Sequence, residues 1–470
     1  MTLAPLTLRQ NQEDAVTAVL RDKSHLCRAE GGAGKTVIGV EAVLRSGVQQ
    51  ALVVAPLNTL SGWRNTFERQ GAQLPFRQIT SRKEGKEAHA DLMNGVPGYY
   101  FIGWQYFRRF PWDYASLEFV IADESHRMQN RKSATALMTN TTLKVGYKLA
   151  LSATPAGNKL EGLWQSMYWL WPKTTPAYWT WITEFFQSEM AEYDGKKTRV
   201  VLGEKLPGTV WNSLPSKSYF KSPYQAEPII TEVLVKMSPA QQKLYDRFEE
   251  EAVVWLDEHP LVADLPVVQS LRLREITLAV PSIRIVERMV KDPESGESFP
   301  EMVEEVFFED DAKSSKVDAV LEQLEDLYAG GPVPVLMFTH SRKFATMLTK
   351  RLQSKGYRAR QFIGGMSADE RAWKLDNFGK EFEVMVCTIA TVGEGTDGLQ
   401  NVCNIEFWLS VDDNRIINRQ ATWRLSRLGQ KQIVRRFMFR AEASVEVRQR
   451  GRLAADQELL DQSLEEKEAA

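Results

Sequence analysis

The chain opens with short, continuous apolar runs separated by stretches whose hydrophobic positions recur at helical spacing. Ala51–Pro56, Tyr99–Ile102, Phe119–Asp123 and Tyr147–Ser152 are rich in β-formers and end in polar or turn residues. Runs that are apolar at successive positions predict strands buried on both faces, and so a parallel sheet covered by helices on either side. The ligand site of such a sheet lies at the carboxyl ends of its strands. The pattern then recurs. Val333–Phe338, Glu383–Cys387 and Ile405–Leu409 read as buried strands, with a helix from Lys343 to Leu352 between the first two. Two similar α/β lobes are therefore expected, over residues 1–172 and 313–445.

The intervening segments read differently. Leu163–Pro172, with Trp179 and Trp181 beyond it, interleaves tryptophans with Leu, Met and Ile at near-helical spacing, which suits core or junction packing better than base stacking. Residues 185–236 lose periodicity and gain Lys, Gly, Pro and Ser, and 173–236 is expected to be an insertion or linker between the lobes. A helical insertion follows over 237–312, beginning with Ser238 as N-cap and Pro239 at the first helical position. Within it Ile283–Met289 and Met302–Phe308 flank Asp292–Gly296, as in a β-hairpin. Residues 446–470, rich in Glu, Gln and Ala, are expected to be an exposed helix or a frayed tail.

Composition narrows the class without naming a function. The 470 residues are 43% hydrophobic and 26% charged, ordinary for a globular protein with more than one domain. With a net charge of -2, any nucleic-acid binding must rest on local rather than global charge. Cys27, Cys387 and Cys403 are widely spaced and odd in number, against both a disulfide framework and a zinc site. No signal peptide and no apolar run of membrane-spanning length is read, so an intracellular protein without membrane association is expected.

The chemistry concentrates in three places. Ala29-Glu30-Gly31-Gly32-Ala33-Gly34-Lys35-Thr36 precedes a helix-forming run. Glycines there let backbone N–H groups of Gly31, Gly32, Ala33 and Gly34 turn toward a phosphate chain at a helix N-terminus. Lys35 can reach the β- and γ-phosphates and Thr36 can hold Mg²⁺. Ala29 stands where the strict pattern has glycine. Asp123-Glu124 closes the strand from Phe119, placing two carboxylates where one can hold Mg²⁺ and the other can orient attacking water. The small residues Ser152-Ala153-Thr154-Pro155 end the next strand, where they serve as a cap before a turn or relay the state of the γ-phosphate. His126 is read as a bridge between the nucleotide site and its neighbours, or as a general acid.

Gln420, Arg424 and Arg427, at i, i+4 and i+7, are expected on one helix face, from which two guanidinium groups can meet a phosphate. A solvated basic helix is the alternative. Residues 415–452 are dense in Arg and Lys and also suit an electrostatic footprint for nucleic acid. Gly393–Leu399, which contains Gly395 and Asp397, is either a tight turn or a loop that approaches a nucleotide or a phosphate backbone.

Taken together and in order, these segments resemble the superfamily 2 helicase-like ATPases, and within them the Snf2 family of double-stranded DNA translocases. The likeness runs over residues 5–440. Leu8–Gln12 resembles the family's adenine-reading segment, Ala29–Thr36 its phosphate loop, and Val53–Leu57 with Trp63 its motif Ia. Asp123–Asn130 is similar to motif II, and Leu151–Pro155 with Asn158, Trp164 and Pro172 to the extended motif III. Met237–Tyr245, Leu271–Ile276 with Pro281, and Gly364–Phe378 continue the match, and Gln420–Gln430 is similar to motif VI. Ser125 replaces the usual Ala of motif II, Gly393–Leu399 departs from the usual motif V, Val411–Asn414 replaces a Trp-Asn-Pro, and the paired arginines usual near Ser216–Tyr219 are absent.

The resemblance implies an α/β fold of two RecA-like lobes, parallel sheets flanked by helices, with Snf2-type helical insertions between and in the lobes. It implies ATP and Mg²⁺ as cofactors, with Gln12 on the adenine. Lys35, Asp123, Glu124, Gln420, Arg424 and Arg427 become the catalytic set, the last two arginines as fingers, and Gly395 and Asp397 further nucleotide contacts. The partner implied is double-stranded DNA, bound without sequence specificity, for work in repair, recombination or replication, by a motor expected to carry no accessory module. A helicase that separates or anneals strands on forked or single-stranded DNA, an RNA helicase, and a scaffold with a vestigial nucleotide site are the alternatives.

Overall fold

The computed structural model describes residues 4–113, 116–193, 196–221, 226–256, 259–262, 266–291, 298–393, 396, 398–427 and 429–464. The chain divides into two compact units, Met1–Gln225 with Ala455–Ala470, and Ala226–Ala454.

The first unit is built on seven strands: β1 (Ser24–Ala29), β2 (Gln50–Ala55), β3 (Phe76–Ile79), β4 (Gly98–Gly103), β5 (Phe119–Asp123), β6 (Tyr147–Ser152) and, after a ribbon of β7 (Phe186–Tyr193) and β8 (Lys196–Glu204), β9 (Lys217–Phe220). Their order is β3-β4-β2-β5-β6-β1-β9 and every pairing is parallel. Alternate residues of each strand enter two separate cores. Leu26, Leu52, Tyr100, Val120 and Ala150 face one, while Cys27, Val53, Phe101, Ile121 and Leu149 face the other. The period-two geometry of a strand thus explains why the runs are apolar throughout, since both faces of the sheet are covered. Trp169 and Trp181 belong to the first core, as packing residues, whereas Trp179 does not and is 48% exposed.

The second unit begins with β10 (Ile229–Val235) and continues through two antiparallel ribbons, β11 (Val253–Leu256) with β12 (His259–Val262), and β13 (Ser282–Lys291) with β14 (Ser298–Phe307). Its sheet is completed by β15 (Val335–Thr339), β16 (Ala359–Phe362), β17 (Val384–Thr388), β18 (Ile405–Trp408) and β19 (Arg435–Ala441), in the parallel order β10-β19-β18-β15-β17-β16. Val335, Met337, Val384 and Phe407 face one core and Leu336, Phe338, Met385 and Trp408 the other. Each unit is therefore a parallel sheet flanked by helices. The helix expected after Met237 is Pro239–Glu251, capped by Ser238, whose Oγ accepts the Gln241 N–H. The tip of the β13–β14 hairpin, Asp292–Gly296, lies outside the described residues.

Between 185 and 236, where the sequence shows no periodicity, the chain nevertheless forms the β7–β8 ribbon, β9 and β10. β9 is four half-buried residues, Lys-Ser-Tyr-Phe, with no pattern of its own. Its place beside β1 is fixed by a polar clip, in which buried His25 of β1 reaches Ser216 Oγ at 2.7 Å and Ser218 Oγ at 3.0 Å. Ser216 in turn donates to Asp22. Across the same strand, Arg28 donates to the carbonyl of Leu464, lies 3.5 Å from Asp461 and stacks 4.1 Å above the Tyr219 ring.

Burial lowers the pKa of His25 to about 4, against the attraction of Asp22, so the folded state holds it neutral. An unfolded histidine takes its proton near pH 6.5, so stability from this site is complete above that pH and is lost as pH falls toward 4. We expect the first unit to lose about 2–3 kcal/mol between pH 7 and pH 4.5 from this residue. Urea unfolding across that range checks it: His25→Gln should show a shallower decline than the native chain.

Candidate functional site

β1 delivers the chain to the phosphate-loop segment. Ala33 N–H closes a turn on the Glu30 carbonyl, Gly32 and Gly34 take positive φ of 74° and 88°, and helix Lys35–Ser46 follows with Gly34 as its N-cap. Gly34 is doubly required, because a Cβ there would lie 2.2 Å from Gln12 Nε2 as well as in the left-handed region. Gln12 is buried beneath the loop. Its Nε2 donates to the Ala33 carbonyl at 3.0 Å, and its Oε1 accepts the Arg9 N–H at 2.9 Å. Arg9 Nη2 also donates to Ala33 O. The helix Gln10–Asp22 is thereby fastened to the loop. Lys35 Nζ donates to the Ala29 carbonyl at 2.9 Å, and the Thr36 side chain stands on the first turn of the helix.

β5 and β1 are separated only by β6, with Asp123 and Cys27 both level with Leu151, so Asp123 reaches the same edge of the sheet. Three groups fix the acid pair. Trp63 Nε1 donates to Asp123 Oδ2 at 3.1 Å, the Glu124 N–H donates to Asp123 Oδ1 at 3.0 Å, and Trp104 Nε1 donates to the Asp123 carbonyl at 2.9 Å. Trp63 can approach because Gly39 leaves room on the phosphate-loop helix; a Cβ at Gly39 would meet the indole at 2.7 Å. Glu124 adopts φ 51°, ψ 52°, a left-handed conformation that a non-glycine residue holds only under constraint.

The two carboxyls are driven apart. Burial and the Glu124 charge push Asp123 up to about 6, while Lys35 pulls the other way. Burial also opposes ionisation of Glu124, but the His126 hydrogen bond, Lys35 and Arg127 outweigh it and hold that carboxyl at about 2. His126 Nδ1 is 3.3 Å from Glu124 Oε2 and 3.1 Å from Ser152 Oγ, and Ser152 Oγ accepts the Thr154 N–H. His126 therefore bridges the ends of β5 and β6. Ser152 makes a turn at the strand end rather than a helix cap.

In the second unit the one-face reading of Gln420, Arg424 and Arg427 is corrected. Helix Arg415–Thr422 ends before either arginine, so only Gln420 is helical; Arg424 follows in a turn and Arg427 in a bend. Arg424 is held by the neighbouring loop instead. Arg424 Nη1 donates to the Thr396 carbonyl at 2.9 Å and Nη2 to the Gly393 carbonyl, and Gln420 lies against Gly393, 3.6 Å from where its Cβ would be. Gly395 and Asp397, the candidate contacts on that loop, lie outside the described residues.

The basic run 415–452 is also less free than its sequence suggests. Arg436 pairs with buried Glu406, Arg440 and Arg450 with Glu232, Arg448 with Glu249, and Arg452 with Asp413. Asp413 takes buried Arg274 as well, so part of the segment 411–414 that departs from the family pattern is used as an internal anchor.

Trp104, which fixes Asp123 through its backbone, was not singled out by sequence reasoning, and Trp63 entered only through a likeness. A glycine inside a helical run, Gly39, was the available signal that a large side chain crosses there.

A glycine-formed loop at a helix N-terminus and an acid pair thus share the carboxyl edge of one parallel sheet, and a second parallel α/β unit follows; the class these belong to is that of the helicase-like ATPases, as the family models show. A family model described as "SNF2-related domain" matches residues 12–274, and one described as "Helicase conserved C-terminal domain" matches 315–429. The first covers more than half of the chain, and the chain belongs to the SNF2-related family of superfamily 2 helicase-like ATPases.

Among relatives, the "ISWI chromatin-remodeling complex ATPase CHR17" of Arabidopsis thaliana is 25% identical over 464 residues, covering 93% of this chain and 39% of the relative. "Chromodomain-helicase-DNA-binding protein 1-like" of Danio rerio is 23% identical, covering 86% and 38%. The "Uncharacterized ATP-dependent helicase MG018" of Mycoplasma genitalium is 23% identical, covering 89% and 38%. The chain thus spans about two fifths of the length of these curated relatives. Among solved structures, the "Sulfolobus solfataricus SWI2/SNF2 ATPase core in complex with dsDNA" covers 98% of this chain and 94% of its own, at 16% identity and a TM-score of 0.37. No helix among the described residues is long and apolar enough to cross a membrane.

The Gly34 geometry is testable against Gly47, which has a similar positive φ of 73° but nothing within 4 Å of a built Cβ. Gly47→Ala should cost about 1 kcal/mol, from backbone strain alone. Gly34→Ala should cost clearly more, because Gln12 must also leave Ala33; thermal unfolding of the two variants measures the difference.

Proposed function

We propose that this chain hydrolyses ATP and uses the energy to translocate along double-stranded DNA without sequence specificity, in DNA repair, recombination or replication. The observation that carries the reading is the fixed geometry at the carboxyl edge of the first sheet. A glycine-formed loop at a helix N-terminus stands two strands from a carboxylate pair locked by Trp63 and Trp104. The printed names of the relatives, an ATPase of a chromatin-remodeling complex and a helicase-DNA-binding protein, support ATP as fuel and DNA as track.

In this reading Gln12 contacts the adenine, and Gly31, Gly32, Ala33, Gly34 and Lys35 hold the phosphates. Among the described residues no group of three or more His, Cys, Asp or Glu could cage a metal by itself. A hydroxyl from Thr36 and one carboxylate from Asp123 fit Mg²⁺, which keeps water and phosphate oxygens among its ligands. When bound, the ion neutralises charge on the β- and γ-phosphates. Glu124 orients the attacking water, its ionised state favoured by His126 and Lys35. Arg424 and Arg427 are assigned to the transition-state charge, Gln420 to the same catalytic set, and Gly395 and Asp397 to further nucleotide contacts. Arg424 would then exchange a carbonyl partner, Gly393 or Thr396, for phosphate during turnover.

The test is ATP hydrolysis at fixed low salt with no nucleic acid, single-stranded DNA, duplex DNA or RNA. We expect duplex DNA to stimulate most, and displacement of a triplex-forming strand to accompany hydrolysis. Lys35→Ala should abolish turnover. Glu124→Gln should lower kcat by about a hundred-fold or more, and Arg427→Ala by about a thousand-fold. Stimulation by single strands or RNA alone would overturn duplex translocation, and full activity in Glu124→Gln would remove Glu124 from the site.

A further inference from the structure

The first unit carries a cleft lined by the ends of the motif II and motif III likenesses, the residues next to them, and Tyr178 and Trp179. Its volume is about 430 Å³, within the ordinary range for small-ligand sites. Three kinds of group meet there. One wall is aromatic. Trp179 is half exposed and held edge-on against Tyr178, with ring centres 5.0 Å apart, and Tyr178 meets Trp164 edge-on at 5.6 Å. Trp164 is fixed in turn by its Nε1 hydrogen bond to the Pro176 carbonyl.

The second group is cationic. Arg131, Lys132 and Lys159 line the cleft, and the Arg131 guanidinium stacks 4.3 Å above Tyr178. Outside the lining, Arg199 lies 5.5 Å from the Trp179 ring centre. Glu161 is the single acid in the lining, 4.0 Å from Lys159, with burial pushing its carboxyl upward.

The third group is made of amides. Gln129, Asn130, Asn158 and Gln165 all line the cleft. Gln165 is 1% exposed; its Nε2 donates to Asn140 Oδ1 at 2.8 Å, yet its Oε1 has no hydrogen-bond partner among the described residues. A buried acceptor left without a donor costs free energy in an isolated fold and gains it when a ligand N–H arrives.

Rings, cations and amides together select a ligand. Aromatic faces suit a planar base, lysine and arginine suit its phosphate, and amides match the donor and acceptor edge of a base. An acidic peptide would use the cations and leave the ring wall and the amides idle. A paired base inside a duplex has both faces covered by its neighbours, so only an unpaired base can stack here.

We propose that this cleft binds an unpaired base of a nucleic-acid strand, together with its adjoining phosphate. The proposal rests on the DNA-motor reading and adds to it a preference for DNA that contains an unpaired or extruded base. Trp179 is the stacking residue, Arg131 and Lys159 take the phosphate, and Gln165 accepts from the base edge.

The test compares two fluorescently labelled duplexes, fully paired or with one bulged base, by anisotropy titration of the full chain at fixed salt. The native chain should bind the bulged duplex about ten-fold more tightly, in line with one base–aromatic stack. Trp179→Ala should erase that preference and leave paired-duplex affinity and nucleic-acid-free ATP hydrolysis unchanged, while Trp179→Phe should retain most of it. Equal binding of both duplexes by the native chain would overturn the base site and leave the motor reading standing. So would an equal loss on both duplexes in Trp179→Ala, which would make the cleft a general contact surface. If neither duplex bound, the motor reading would fail and this site with it.

Discussion

Burial of each parallel sheet on both faces is the constraint from which the rest follows. A strand with a core on either side has no room for uncompensated polar groups along its length, so free chemistry is confined to its ends. Three charged residues buried inside the strands illustrate the cost in the partners they recruit. Arg28 is held by Leu464, Asp461 and Tyr219, Lys148 by the carbonyls of Leu143 and Trp169, and Glu406 by Arg436 and Trp408. Asp123 is the residue at which β5 leaves this sealed region, and the phosphate-loop segment is where β1 does.

The same packing that seals the sheet also aims its end groups. Trp63 lies in the core between the phosphate-loop helix and β5, and its one polar atom emerges at Asp123. Gly39 makes that crossing possible, as Gly34 makes room for Gln12. The positive φ of Glu124 turns the second carboxyl away from the strand direction and toward His126. The result is a pair of adjacent acids with opposite electrostatic fates, one pushed toward its proton by burial and its neighbour, the other kept ionised by surrounding positive groups.

The second unit shows where spacing along a sequence misplaces side chains. Spacing placed Gln420, Arg424 and Arg427 on one helix face, but the helix stops at Thr422. The backbone carbonyls of Gly393 and Thr396 hold Arg424 instead, contacts made across the fold rather than along one helix. The arginine-rich run beyond it was legible as charge, yet its acid partners Glu232, Glu249, Glu406 and Asp413 come from other parts of the chain. Charge counted along a sequence says nothing of what faces it.

What the sequence determined by itself was the element plan where local signals were strong. The continuous apolar runs became the inner strands, the Ser238–Pro239 start became a capped helix, and the alternating segments after Ile283 became a hairpin. Glycine, lysine and paired-acid patterns marked the glycine-formed loop before the helix from Lys35 and the acid pair Asp123–Glu124 at a strand end. Only the tertiary structure decided the rest. β9 has no periodicity and exists because His25 and β1 provide its partners. Trp104 acts on Asp123 through a backbone carbonyl, and the half-exposed Trp179 differs from buried Trp169 and Trp181 only in what packs over it. Short-range pattern fixes which residues can form a strand, a turn or a phosphate loop; which groups then meet depends on contacts far apart in the chain, and no local spacing encodes them.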